Sequence, residues 1–493
     1  MGFTGSSGSS VPSVDVRRCQ LLGLIGSTVL SAGGATAGAL PLRDTFDPAS
    51  GHASLGLVCA YFGLVLLITA WWRMGRAVRG PQPPSQGSLL LTLAIWASPL
   101  LIAPPLFSRD VYSYLAQGAM ADAHMDVYAY GPAQLGGPFA SEVAPLWQHT
   151  PAPYGPVAVG LAASIAEVSR SELSVGLFGM RLVALLGVAL MVAALPALAR
   201  RCGTDPRAAV WLGGLNPLLL LHLVAGAHND AVMLGLLGVG LVAVLGGRPL
   251  PGAVLVTLSA LVKAPAALGL VAVAVLWAGH LTGRYRWWRA GAATLAVGLA
   301  TTAAATAVTG TGYGWLTALG TPASPDNWSL TSILGRLAGS VLEGAGSELA
   351  PLALPAFRLL GLCATGVAVL LIWLRRPRTV PVHALGLSLL AVAFLGPATR
   401  PWYLLWGLFL IAAATPDSPV RRLVAGGCAV LALMVLPSGF APDQAQLVLA
   451  VSGGVLAALA LLQARLTPSF PSSSFPSSAS TLRPGGTLSA WLR

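Results

Sequence analysis

An arginine and an aspartate stand side by side in Phe107-Ser-Arg-Asp-Val-Tyr-Ser-Tyr114, directly after an apolar run, Leu89–Leu106, that closes in Pro104-Pro105. The chain has only 44 Asp, Glu, Lys and Arg residues in 493. Two adjacent charges where a membrane helix would leave the bilayer therefore demand a reason. A carboxylate near an apolar surface has a raised pKa and can act as a general base toward a hydroxyl. If a helix starts here, Asp110, Tyr114 and Gln117 share one face at i, i+4 and i+7. Five of the nine tyrosines, Tyr112, Tyr114, Tyr128, Tyr130 and Tyr154, lie within the 44 positions after Asp110. A carboxylate among aromatic rings suits a polar, ring-shaped substrate. The competing reading is that Asp110 only caps a helix, a common use of aspartate.

Four further groups carry the same double reading. Lys263, the only lysine, lies inside an apolar stretch, where a charge costs several kcal/mol unless paired or hydrated. It could snorkel to the interface. Pro265, two residues later, instead points to a broken helix lining a cavity, which favours a phosphate contact. His228-Asn229-Asp230 follows Ala225-Gly-Ala at the end of an apolar run and is either a helix cap or part of a site. One His beside one Asp is a weak metal signal. In Arg400-Pro-Trp-Tyr403, Trp402 and Tyr403 fit an interfacial aromatic belt, whereas Arg400 on an outer face does not. Thr150-Pro-Ala-Pro-Tyr-Gly-Pro156 is a rigid turn carrying Tyr154, and Trp328 sits in Pro325-Asp-Asn-Trp-Ser329. Such rings pack against sugar faces, and against other apolar surfaces as well.

The elements that must position these residues are membrane helices. The chain is 55% hydrophobic and 9% charged, against about 25% charged in soluble domains. Apolar runs of spanning length recur throughout, which makes this an all-α polytopic membrane protein and excludes a soluble globule. The formal charge of +12 is no sign of nucleic acid, because the basic residues form short clusters beside apolar runs. The five scattered cysteines have no CxxC spacing and read as apolar fillers. No cleavable signal peptide is expected.

Twenty of the 28 basic residues cluster at Arg17-Arg18, Arg73/Arg76/Arg79, Arg200-Arg201/Arg207, Arg248, Arg284/Arg286/Arg289, Arg375-Arg376/Arg378, Arg421-Arg422, and Arg465, Arg483 and Arg493. If all are cytoplasmic, an even number of crossings separates them. Residues 155–168 are short for a span and read as re-entrant or interfacial. Residues 249–281 read as two short helices meeting at Lys263, since a single crossing would put 11 later arginines outside. The alternative, in which 155–168 spans and 249–281 crosses once, displaces only Arg200, Arg201, Arg207 and Arg248. The preferred map has about 14 transmembrane helices, both termini cytoplasmic, and large outer loops at 107–175 and 310–351. Residues 1–18 form a Gly/Ser-rich cytoplasmic start, 19–466 the membrane domain, and 467–493 a disordered Ser/Pro-rich cytoplasmic tail. Thirteen of the 16 acids then lie outside or near the outer face, all but Asp15, Asp205 and Asp417.

The chain has no GxxxxGK[ST], no GxGxxG opening a strand–helix unit and no Asp-x-Asp pair. A nucleotide-activated donor in the cytoplasm is therefore not expected, and a donor would reach the outer face already attached to lipid. Taken together, Ser108-Arg-Asp-Val-Tyr-Ser-Tyr114, Thr150-Pro-Ala-Pro-Tyr-Gly-Pro156, Ala227-His-Asn-Asp230, Lys263-Ala-Pro265 and Pro401-Trp-Tyr-Leu-Leu-Trp406 resemble one family. It is that of the actinobacterial polyprenol-phosphate-mannose-dependent α-1,6-mannosyltransferases, within the GT-C superfamily. The similarity covers about residues 20–465 and departs at Arg400, where histidine is expected before Pro-Trp-Tyr.

The resemblance implies a GT-C-like plasma-membrane enzyme with an extracytoplasmic active site. Its donor would be polyprenyl-phosphate-mannose, and its acceptor a lipomannan-type lipoglycan or glycolipid. It implies inverting transfer in which Asp110 deprotonates or orients an acceptor hydroxyl. Lys263, with Arg109 or Arg400, would stabilise the departing phosphate. Tyr112, Tyr114, Tyr154, His228, Asn229, Asp230, Trp402 and Tyr403 are the expected substrate-binding residues. No metal or other cofactor is expected, because cationic side chains can do that electrostatic work. A transporter or flippase of lipid-linked sugars is the competing reading, since it too would have broken helices and intramembrane charge. A glycan-binding assembly protein without catalysis is a third.

Overall fold

A computed structural model describes residues 15–320, 324, 327–375, 380–416 and 418–466. The expected disordered tail, most of the Gly/Ser-rich start, and Pro325, Asp326, Arg376, Arg378 and Asp417 lie outside the described residues. Among the described residues the chain is helical throughout, with no strand. Six helices are long and apolar enough to cross a membrane: Val16–Ala37, Gly51–Val78, Leu173–Arg201, Arg286–Thr309, Ala350–Leu374 and Gln444–Ala464. Pro206–Gly214 and Leu219–Ala225 form a seventh candidate, bent by 63°. Seven more apolar helices are shorter, such as Pro156–Ser169, Asp230–Leu245, Pro249–Val262 and Pro381–Leu395. At 1.5 Å per residue, a 14-residue helix covers about 21 Å of a hydrocarbon core about 30 Å thick.

Local sequence accounts for many of the boundaries. Asp15, Ser50, Ser85, Asp205 and Ser329 cap helix starts with side-chain oxygens. Proline opens the helices at Pro156, Pro249, Pro381 and Pro419, where the missing N–H costs nothing. The bend near residue 216 combines Asn216-Pro217 with flanking π-helical turns.

Packing separates a buried centre from a rim. All eleven residues of Leu404–Ala414 are buried, as is most of Asp230–Leu245. By contrast, Ala350–Leu374 buries only Ala353 and Gly361, and Arg286–Thr309 only Ala290, Thr294, Gly298 and Thr306. Their outward leucines and valines belong against lipid. The first two long helices touch backbone to backbone, since a Cβ on Gly63 would collide with the Gly26 carbonyl and Leu30. Gln444–Leu466 packs on the same Gly51–Val78 helix. The first and last described helices thus share one partner.

Candidate active site

Two central segments reach the site through residues forced into the left-handed region. Phe107 has φ 63° and Ala227 φ 51°, conformations that cost a non-glycine residue about 1–3 kcal/mol. Surrounding bonds hold them there. The Phe107 N–H donates to Pro437 O at 2.8 Å, and the Leu106 N–H to Ala225 O at 3.4 Å. Arg181, buried on the Leu173–Arg201 helix, donates to Leu101 O at 2.6 Å, Ala103 O at 2.9 Å and Ala225 O at 3.4 Å. It thereby ties together the ends of both segments, one leading to Asp110 and the other to His228.

Asp110 is the first residue of the Asp110–Asp122 helix, and its N–H donates to Ser108 Oγ at 3.1 Å. Its carboxylate is 23% exposed and lies 3.6 Å from His228 Nδ1. That nitrogen is also 3.2 Å from Tyr114 Oη and 3.9 Å from Asp230 Oδ2. Asp230 is fully buried and accepts from Lys263 Nζ at 2.8 Å and from Trp406 Nε1 at 2.5 Å. Lys263 has extended backbone between Pro249–Val262 and the 3₁₀ turn Ala264–Ala267. Its ammonium lies 4.9 Å from the Tyr403 ring centre, 5.5 Å from that of Trp406 and 5.8 Å from that of Tyr154. The Tyr154 turn can approach because residue 155 is glycine; a Cβ there would strike the Leu261 carbonyl.

These groups wall a cavity of about 310 Å³, the lower end of ligand-pocket sizes. Asp110, Lys263 and Arg400 line it, with Tyr154, Trp402, Tyr403 and Trp406. Leu362, Thr365 and Val392 close its other side. Leu362 and Thr365 belong to the outward Ala350–Leu374 helix, so the cavity extends to that exposed flank of the molecule. Burial raises the Asp110 pKa above the ordinary aspartate value. The Arg400 and Lys263 cations oppose that rise, and Asp230 adds to it.

A family model described as "Alpha-(1->6)-mannopyranosyltransferase, N-terminal domain" matches residues 20–279, and one described as "MptB C-terminal domain" matches 331–463. The chain belongs to the alpha-(1->6)-mannopyranosyltransferase family. A Mycobacterium tuberculosis relative named "Alpha-(1->6)-mannopyranosyltransferase A" is 35% identical over 424 residues, 82% of this chain and 81% of its own. A Mycolicibacterium smegmatis protein named "Probable alpha-(1->6)-mannopyranosyltransferase" is 37% identical over 448 residues, covering 81% and 79%. "Alpha-(1->6)-mannopyranosyltransferase B" of Corynebacterium glutamicum is 32% identical over 470 residues, covering 86% and 77%. No solved structure matches. Membership makes this chain a membrane glycosyltransferase, in line with the resemblance of its motifs.

The N-terminal family region supplies Asp110, Asp230 and Lys263, and the C-terminal region supplies Arg400, Trp402, Tyr403 and Trp406. Of the residues singled out by sequence, Asp110, Tyr114, Tyr154, His228, Asp230, Lys263, Arg400, Trp402 and Tyr403 gather at the cavity or directly behind it. Three do not face it. Tyr112 is buried, its hydroxyl donating to Ala39 O at 2.6 Å. Asn229 is buried and lines a separate crevice beside Val262. Arg109 turns away from Lys263: its Nη2 donates to Leu40 O at 2.5 Å, and its guanidinium lies over the Tyr112 and Phe440 rings. It lines a second cavity instead.

Sequence reasoning did not assign roles to Trp406, Trp147 or His222. Trp406 lies three residues after Tyr403 in Leu404–Ala414, a spacing that shares a helical face, so the signal was there. The His222 ring lies tilted against Trp402, with ring centres 4.9 Å apart. Its approach to His228, six residues on, depends on a π-helical turn that no α-helical spacing would indicate.

Proposed function

We propose that the protein transfers mannose from polyprenyl-phosphate-mannose to a lipomannan-type glycolipid at the extracytoplasmic face, forming α-1,6 linkages with inversion. One juxtaposition carries this reading: a carboxylate, Asp110, shares one cavity with two cations, Lys263 and Arg400. In the step, Asp110 takes the proton of the acceptor hydroxyl as its oxygen bonds to the anomeric carbon. The bond from that carbon to the phosphate oxygen breaks, and polyprenyl phosphate leaves with both electrons. Lys263 and Arg400 stabilise the charge gathering on the phosphate, so the leaving group needs no proton. Asp230 is a positioning residue that aims Lys263, with Trp406 satisfying its second oxygen. The chain runs as one membrane domain over residues 19–466, crossing about 14 times with both termini cytoplasmic and 107–175 and 310–351 outside.

The test is transfer by purified protein in nanodiscs, with radiolabelled polyprenyl-phosphate-mannose and an alkyl α-mannoside acceptor. An α-1,6-linked labelled product is expected. Movement of the labelled lipid between vesicle leaflets without product would mark a flippase instead.

A further inference from the structure

A second cavity, of about 430 Å³, adjoins the first at Asp110 and does not reach Lys263. The two cavities share Asp110, Trp147, Arg400 and Trp402, whereas Lys263 lines only the first. The floor of the second is Phe107–Asp110, and its far wall is the connection at 434–442, which carries Phe440. That connection is fastened to the floor. Pro437 O accepts the Phe107 N–H, and Gly439, at φ 76°, has room for only hydrogen toward Ser108, whose Cα would sit 3.0 Å from a Cβ. Trp328, 38% exposed, stands at the rim, and Phe440 is 39% exposed. Arg109, 4% exposed, lies beneath Phe440 at 4.9 Å from its ring centre. Its Nε and Nη1 find no acceptor among the described residues. Each exposes under 1 Å², so oxygens of a ligand complete their hydrogen bonding only once Phe440 shifts above them.

We propose that the second cavity binds the acceptor: the mannosyl end of an α-1,6-linked mannan, with Phe440 and Trp328 packing on sugar faces and Arg109 donating to its hydroxyls. The assignment rests on the mannosyl-transfer reading above. Displacement with inversion needs the incoming hydroxyl and the departing phosphate on opposite sides of the anomeric carbon. Lys263 marks the phosphate side, and among the described residues that the two cavities share only Asp110 can take a proton. Of the three contacts, Arg109 lies in the N-terminal family region, Phe440 in the C-terminal one, and Trp328 between them.

The experiment uses the full chain in nanodiscs, polyprenyl-phosphate-mannose and octyl α-1,6-dimannoside, with Phe440→Ala, Trp328→Ala and Arg109→Gln. Each variant should raise the KM for the dimannoside about tenfold, as loss of one ring-on-sugar or hydrogen-bond contact does. The donor KM should move less than about threefold. Arg109 also braces Leu40, so its variant counts only if its melting temperature holds; the two partly exposed aromatics avoid that difficulty. Unchanged dimannoside KM in both aromatic variants, or a rise in donor KM in its place, overturns the assignment. Calorimetric binding of the dimannoside separates this idea from the activity itself. Binding that Phe440→Ala weakens, in a protein that transfers no mannose, would sink the transferase reading and keep the cavity. Normal transfer with binding indifferent to Phe440 and Trp328 would do the reverse.

Discussion

Asp110 and Lys263 make distinct demands at the scale of single residues. Asp110→Asn keeps the shape and removes the base, so kcat should fall by at least about 100-fold with the melting temperature unchanged. Near-normal turnover would remove Asp110 from the chemistry. Because burial raises the Asp110 pKa, the carboxylate takes up its proton at a higher pH than a free aspartate would. The acid limb of the pH–rate profile should accordingly lie above about pH 4, and a limb at the ordinary value would contradict that environment. Lys263 behaves differently from a snorkelling side chain, whose replacement by methionine would be tolerated. Here Lys263→Met strands the buried Asp230 carboxylate, at a cost of about 3–5 kcal/mol. Adding Asp230→Asn should restore the melting temperature while donor turnover stays lost. Normal turnover in the double variant would make the pair purely structural. The sequence signalled that a lone lysine in an apolar stretch needs a partner. It could not say which acid, because Asp230 and Lys263 lie 33 positions apart and no local spacing relates them.

Elements place these groups, and their breaks matter more than their lengths. The interruption at Lys263-Ala-Pro265 was legible, since proline deprives the helix of an N–H and leaves Lys263 extended between two helices. The start of a helix at Asp110 was legible too. The direction of Arg109 was not: neighbours at a helix start diverge, and its carbonyl partner, Leu40, belongs to a distant turn. The turn through Tyr154 depends on Gly155. Gly155→Val should push that turn off the Leu261 carbonyl, destabilise the fold by about 1–3 kcal/mol and lower donor turnover more than acceptor affinity. Arg181→Met should cost about 3 kcal/mol or more, since it strips the Leu101, Ala103 and Ala225 carbonyls of a shared donor. Thermal melts of both variants, read beside donor KM, check these expectations.

The whole molecule separates an exposed rim from a buried centre, a contrast that apolar composition alone does not reveal, because lipid-facing and core helices read alike. The proposed orientation rests on the arginine clusters instead. In a background lacking the native cysteines, Ser141→Cys should react with an impermeant reagent on intact cells and Gly203→Cys only after permeabilisation; both positions are exposed. The reverse pattern would turn the map over. The reach of the first cavity to the Ala350–Leu374 flank has a kinetic consequence. If the prenyl tail stays among the lipids while its head enters past the Ala350–Leu374 flank, the enzyme meets its donor in two dimensions. Below saturation the rate then follows the donor's mole fraction in the bilayer, and diluting the membrane with inert phospholipid should slow the reaction even though the amount of donor per millilitre is unchanged.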